Sequence, residues 1–407
     1  MGAKHTPKRL RAHRLVAATA ISSLGDGLAL VAFPLFAVQL TTHPVLIAGI
    51  AIAASLPWLL VSLPAGAIVD RVERRRLVLV VELCRAVLIA LVALGAATSR
   101  LSIADLYIAV FLVATGETLV SAAARAIVPV IAKEDRIVAV NGQVMAAETV
   151  GVQFAGPAIG GVVFSVASAL PFLGDALSYV ASGFLLRSAI PPNAAEPRSS
   201  TGIVADVRSG LRWFAASPPL RILAVVVTSF AFCQAMVLAV LVLYATRILG
   251  LGGTGYGLFL GIAAVGDLAA SLFANRVYAF LGPFFTVLAA GTAAGIGYVI
   301  LSSTSDRYVA VAALALEAAG TSLGNVATLS LRHRIIPTAR FGLVNNAFRM
   351  SVVGVVTIGS VVGGTLTAAL GTRSTFVIAG VFQLAVLTVM TPPLRVACRR
   401  IAQLRPA

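Results

Sequence analysis

Five acidic side chains stand inside long apolar stretches of this chain: Asp26, Glu117, Glu148, Asp267 and Glu317. A charge at the centre of a bilayer costs at least ~2.5–3.5 kcal/mol, so each of them needs a reason to be there. One reason is chemical. A carboxyl held away from water is disfavoured in its ionised form, so it takes up a proton and gives it back when water returns. That act can couple proton flow to the movement of something else. The other reason is structural: a carboxyl bonded to Ser or Thr can tie helices together. Asp26, Glu117 and Glu317 have no basic residue at i±3 or i±4, which leaves them open to the first use. Glu82 and Arg85, at i and i+3, are expected to neutralise each other near the inner surface and take no part in such coupling. Asp105 and Asp175 fall near outer helix ends, where solvated acids are expected.

Other chemistries find no support. Cys84, Cys233 and Cys398 and the histidines His5, His13, His43 and His333 are scattered, with no metal-ligand or disulfide spacing. There is no GxxxxGK[ST], no HExxH, no interfacial pair of aspartates and no Ser/His/Asp set. We therefore expect no enzyme, no ATPase, no metal and no cofactor. Charged residues are only 11% of the 407, against 59% hydrophobic, where a soluble domain carries roughly 25% charged residues. The net charge of +16 would suggest nucleic acid in a soluble protein, but here the basic residues cluster in short loops. Orientation in the membrane and anionic lipid explain them better, and nucleic acid is not expected as a partner.

The elements that must position the acids are membrane spans. The sequence predicts twelve, at 15–40, 45–69, 77–97, 102–126, 138–166, 170–187, 219–246, 254–275, 283–302, 308–331, 341–369 and 374–391. They are called spans 1 to 12 below. The first is read as an uncleaved span rather than a signal peptide, because it is too long for one and carries Asp26. With both termini cytoplasmic, the inner segments hold about 25 of the Lys and Arg residues, and the outer loops hold Arg100, Arg247, Arg307 and Arg373. The two halves also repeat. Tyr107-Ile108-Ala109-Val110 matches Tyr308-Val309-Ala310-Val311, Arg136 and Asn141 match Arg340 and Asn345, and Gly160-Gly161 matches Gly363-Gly364. The expected organisation is a six-helix bundle at 1–187, a cytoplasmic linker at 188–218 with an amphipathic stretch at Ile203–Trp213, and a second six-helix bundle with the tail at 219–407.

Three motifs carry a family resemblance. Between spans 2 and 3 the chain reads Gly66-Ala67-Ile68-Val69-Asp70-Arg71-Val72-Glu73-Arg74-Arg75-Arg76, a tight basic turn. It resembles the loop between helices 2 and 3 of the major facilitator superfamily, which usually has Gly where this chain has Glu73. Gly156-Pro157-Ala158-Ile159-Gly160-Gly161 in span 5 resembles the signature of that superfamily's antiporters, with Val152 where Gly is usual. Ser22-Ser23-Leu24-Gly25-Asp26, with Arg125-Ala126-Ile127-Val128-Pro129 and Asn141, resembles the drug:proton antiporter branch that includes macrolide-efflux and enterobactin-export proteins.

The resemblance implies an all-α membrane protein of the major facilitator fold, with spans 1, 4, 7 and 10 lining a central cavity. Asp26, Glu117 and Glu317 then face that cavity, and Gly66, Asp70, Arg71, Arg74, Arg75 and Arg349 form a conformational gate in which Asp70 pairs with Arg349. The function implied is proton-coupled efflux of small amphipathic or cationic compounds, with Asp26 as the main proton carrier. A dedicated exporter of one metabolite, such as a siderophore, is the alternative, and a transporter-like sensor is a third. Gln39, Gln153, Gln234 and Asn325 are further polar handles. The expected partners are a small-molecule substrate, protons and the lipid bilayer of the inner (plasma) membrane, and the protein is expected to be a monomer.

Overall fold

The computed structural model describes residues 8–132, 134–191, 212–337 and 341–403. Among them all regular structure is helical, and the rods follow the twelve expected crossings. Span 1 is Lys8–Leu40, span 3 Arg74–Ala97, span 4 Ile103–Ile131, span 6 Leu170–Ala189, span 10 Arg307–Ile335, span 11 Phe341–Leu370 and span 12 Thr372–Gln403. Span 6 is the shortest unbroken rod, and its 20 residues still reach about 30 Å, enough for a bilayer core. The amphipathic stretch expected at Ile203–Trp213 lies, apart from its last two residues, outside the described residues.

The irregular spans have local causes. Span 2 is two helices, Pro44–Leu60 and Ser62–Arg71, broken at Val61. Pro64 sits in the first turn of the second piece, where a missing N–H leaves nothing unbonded. Span 5 runs Ile137–Thr149, then a π-turn at Val150–Ala155, then Gly156–Val166. The π-turn lets the Gly156 N–H bond Gly151 one residue further back, just ahead of Pro157, whose ring would clash with a regular turn. Span 7 is Pro218–Leu238 and closes with a second π-turn at Tyr244–Ile248. Spans 8 and 9 were expected as separate helices with a loop at 276–282. They are two helices within Gly253–Ser303, and the expected loop shrinks to a kink at Gly282. Gly282 has φ +73, a left-handed conformation that suits glycine, and Pro283 restarts the helix.

The turn between spans 2 and 3 is tighter than expected, since only Val72 and Glu73 separate Arg71 from Arg74. Glu73 has φ −60, so a residue with a side chain fits where glycine is usual in the family. Span 4 starts on a capping box in which Ser102 and Asp105 satisfy each other's backbone N–H at 2.8 and 3.3 Å. That exposed position for Asp105 agrees with the sequence expectation.

The chain forms two compact units. One comprises Met1–Thr42, Ala53–Ser200 and Leu251–Gly261, and the other His43–Ile52, Thr201–Gly250 and Ile262–Ala407. The first packs around Leu15, Ile127, Val128 and Leu186, the second around Leu223, Val287, Leu331 and Leu394. Small residues set the helix approach, as membrane helices require. A β-carbon at Gly27 would collide with the Gly151 carbonyl and stand 2.7 Å from Gly156 Cα, and one at Gly160 would stand 2.9 Å from Leu28 Cα. The sequence repeat has the same packing in the second unit. There a β-carbon at Gly363 would stand 2.8 Å from Met236 Cα, and one at Gly364 2.7 Å from Ala48 Cβ.

Candidate transport site

In the first unit the acids of spans 1, 3 and 4 meet on one arginine. Arg85, 3% exposed, projects from span 3 toward span 4, where Gly116 makes room for it. A β-carbon at Gly116 would stand 2.8 Å from Arg85 Cδ. Arg85 Nη1 donates to Glu117 Oε2 at 2.9 Å and to Glu82 Oε2 at 3.2 Å. Its Nη2 donates to Asp26 Oδ1 at 3.0 Å and to the Tyr179 hydroxyl at 3.0 Å. Tyr179, from span 6, donates in turn to Asp26 Oδ1 at 2.6 Å. Ser182, one turn further along span 6, donates to Glu82 Oε1 at 3.3 Å. The acids differ in access. Glu82 is 0% exposed, while the side chains of Asp26 and Glu117 are 25% and 34% exposed.

This geometry corrects three sequence expectations. Asp26 and Glu117 are not unpaired, because their base comes from another helix, where a search at i±3 and i±4 cannot find it. Glu82 and Arg85 do pair, but as the buried centre of the cluster rather than as a self-neutralised pair at the surface. Asp175 is not a solvated end group: it is fully buried against span 1, where a β-carbon at Gly25 would stand 2.5 Å from its Oδ1. Sequence reasoning gave Arg85 no role beyond its pairing with Glu82, although an arginine inside an apolar run is itself a signal. It also missed Tyr179, which shares a helix face with Asp175 at i, i+4.

In the second unit Glu317 is held by neutral side chains from its own and neighbouring helices. It is 3% exposed, and its Oε1 accepts from Tyr298 at 2.8 Å, Thr321 at 2.9 Å and Gln234 at 3.4 Å. Among the described residues no arginine or lysine reaches it. Asp267 is half-buried on span 8, whose Gly266 packs on the backbone of Ala315, two residues before Glu317. Glu148 stays exposed and outside both hydrogen-bonded sets, as do Gln39, Gln153 and Asn325.

Of the gate residues, Arg71 and Arg349 are exposed and Arg74 and Arg75 half-buried. The surroundings of Gly66 and Asp70, and with them the expected tie from Asp70 to Arg349, lie outside the described residues. The span 5 motif is a packing surface. Gly156 and Gly160 back onto span 1, and Gly161 meets Gly257, with Pro157 buried between them.

A family model described as transmembrane secretion effector matches residues 3–402. Among curated proteins none matches at a significant level. Solved structures share the fold at low identity. A bacterial homologue of the human lysosomal transporter Spinster is 15% identical over 100% of both chains, with a TM-score of 0.74. A bacterial homologue of the iron transporter ferroportin is 17% identical over 96% of this chain and 98% of its own, with a TM-score of 0.74. The nucleoside transporter NupG is 10% identical over 95% and 99%, also with a TM-score of 0.74. At such identities the likeness establishes the fold alone.

Proposed function

The chain belongs to the transmembrane secretion effector family of the major facilitator superfamily, and from that premise we propose a proton-coupled exporter of small amphipathic cations. It works by alternating access between six-span halves at 1–187 and 219–407, joined by the linker 188–218. Its place is the inner (plasma) membrane, with both termini cytoplasmic, a reading supported by the bias of basic residues to one side.

One observation carries the reading: a single guanidinium serves three carboxylates, two of them open to solvent. With acids in excess of base, Asp26 and Glu117 can exchange partners while Glu82, held by Ser182, keeps Arg85 in place. A cationic compound and a proton are alternative partners for the same oxygens. Binding one expels the other, and transport requires only that each binds the two facing states unequally. Glu317, with Asp267 beside it, adds an acid in the second half that no arginine among the described residues quenches. The gate, Gly66, Asp70, Arg71, Arg74, Arg75 and Arg349, biases one state, and the π-turn and glycines of span 5 let that helix move against span 1.

The test is uphill transport in proteoliposomes with an imposed pH gradient, against a panel of cationic, neutral and anionic compounds. Cationic compounds should be pumped, and Asp26→Asn should abolish pumping while sparing downhill exchange of a neutral compound. Pumping of anionic compounds alone, or undiminished pumping by Asp26→Asn, would refute it.

A further inference from the structure

The exporter reading leaves one buried acid of the first unit without a task. Asp175 stands on span 6 with 0% exposure. Its Oδ1 lies 3.4 Å from Ser178 Oγ, a hydroxyl that also donates to the Asp175 carbonyl at 2.8 Å. Oδ2 lacks a well-formed hydrogen bond among the described residues, and the Tyr179 hydroxyl, one turn along the helix, also acts on this carboxyl. Span 1 closes over it at Gly25, the residue before Asp26. One turn along span 6, Tyr179 donates to Asp26 at 2.6 Å and accepts from Arg85 at 3.0 Å. The charged and titratable groups facing Asp175 are Asp26 from span 1, Arg85 and Glu82 from span 3, and Tyr179 from its own helix.

An ionised carboxylate enclosed this way is costly, because the hydroxyls beside it carry no charge and Arg85 is already shared among three other acids. A neutral carboxyl fits the same space without that cost. On the exporter reading above, we propose that Asp175 is the internal proton store of the cluster and trades its proton with Asp26 through Tyr179. The transfer balances. The Asp175 O–H bond breaks and its proton passes to Tyr179 Oη, while the hydroxyl proton of Tyr179 passes to Asp26 Oδ1. The electron pairs stay on their oxygens, Asp175 becomes a carboxylate, Asp26 becomes neutral, and Tyr179 is regenerated. Asp26 is the port, since its side chain is 25% exposed and exchanges protons with water. Neutral Asp26 loosens its hold on Arg85, which links the stored proton to the cation seat.

The experiment uses full-length protein in proteoliposomes with tetraphenylphosphonium as the lipophilic cation. Asp175→Asn keeps the shape and the neutral form but cannot release a proton. It should retain the wild-type thermal midpoint and downhill exchange at symmetric pH, yet lose pH-driven accumulation by about tenfold, a mid-range coupling effect. Infrared difference spectra of the wild type should show a buried, protonated carboxyl C=O band that Asp175→Asn removes. Wild-type pumping and an unchanged pH profile in Asp175→Asn would overturn the proposal, as would a band that the substitution leaves in place. Should Asp175→Asn fail to fold, Ser178→Ala removes the hydroxyl 3.4 Å from Oδ1 and must shift the infrared C=O band, and a band it leaves unmoved would overturn the proposal. Should the wild type itself not pump on a pH gradient, the exporter reading fails, and the infrared band alone then decides whether Asp175 holds a proton.

Discussion

Removing the Arg85 guanidinium tests the architecture of the site. Arg85→Met deletes bonds of 2.9, 3.2 and 3.0 Å to Glu117, Glu82 and Asp26 and one of 3.0 Å to Tyr179. Asp26 and Glu117 are partly open and can be screened by water. Glu82, at 0% exposure, keeps only the 3.3 Å bond from Ser182. Breaking a buried ion pair from one side costs ~3–5 kcal/mol, and that is the loss expected for Arg85→Met. Glu82→Met leaves Arg85 with two acids and should cost ~1.5–3 kcal/mol, the worth of one hydrogen bond to a charged group. The double variant replaces the buried pair by two apolar side chains of similar length. It should be more stable than Arg85→Met alone, with a coupling free energy of ~2–3 kcal/mol. The assay is equilibrium unfolding in mixed micelles, followed by circular dichroism. Additive losses, or an Arg85→Met loss below ~1 kcal/mol, would refute Arg85 as the counter-ion of a buried Glu82.

The remaining predictions concern packing, the second acid and the gate. Gly27→Ala should cost ~1–3 kcal/mol by overpacking against Gly151 and Gly156, whereas Gly142→Ala, with nothing within 4 Å, should gain ~0.5–1 kcal/mol; thermal midpoints of the two variants should move in opposite directions. Tyr298→Phe removes the 2.8 Å donor to Glu317 and should cost ~1.5–3 kcal/mol, and most of that loss should vanish in a Glu317→Gln background, as a double-mutant cycle would read. Asp70→Asn should slow turnover at unchanged protein level in the membrane, because the seat proposed for Asp70 at the N-terminus of span 11 would contribute only ~0.3–1 kcal/mol to the fold; full transport would remove Asp70 from the gate.

Much of the fold was legible because bilayer crossing imposes length and hydropathy on each rod. The repeat was legible too, since Gly160-Gly161 and Gly363-Gly364 turn out to be the same packing surface in both units. What the sequence concealed lies between helices. Arg85 and Asp26 are 59 positions apart, and helical periodicity carries no information about which helices face each other. Asp175 was misjudged because its distance from a helix end says nothing of the helix lying over it. Of the partners of Glu317, Thr321 at i+4 could be read from the sequence, while Tyr298 and Gln234 come from other helices and could not. The break between spans 8 and 9 was signalled by Gly282-Pro283, but the helical run through 276–281 was not, because Arg276 looked like a loop residue.

The central claim is that protons and cations exchange at the acids of one cluster, and counterflow measures it directly. Proteoliposomes loaded with a pH-sensitive dye, at equal pH inside and out, receive tetraphenylphosphonium on one side only. The account predicts that cation entry expels protons from the lumen, with a fixed ratio of the two fluxes, and that Asp26→Asn abolishes the proton signal. Cation uptake by the wild type with no accompanying proton flux would contradict it.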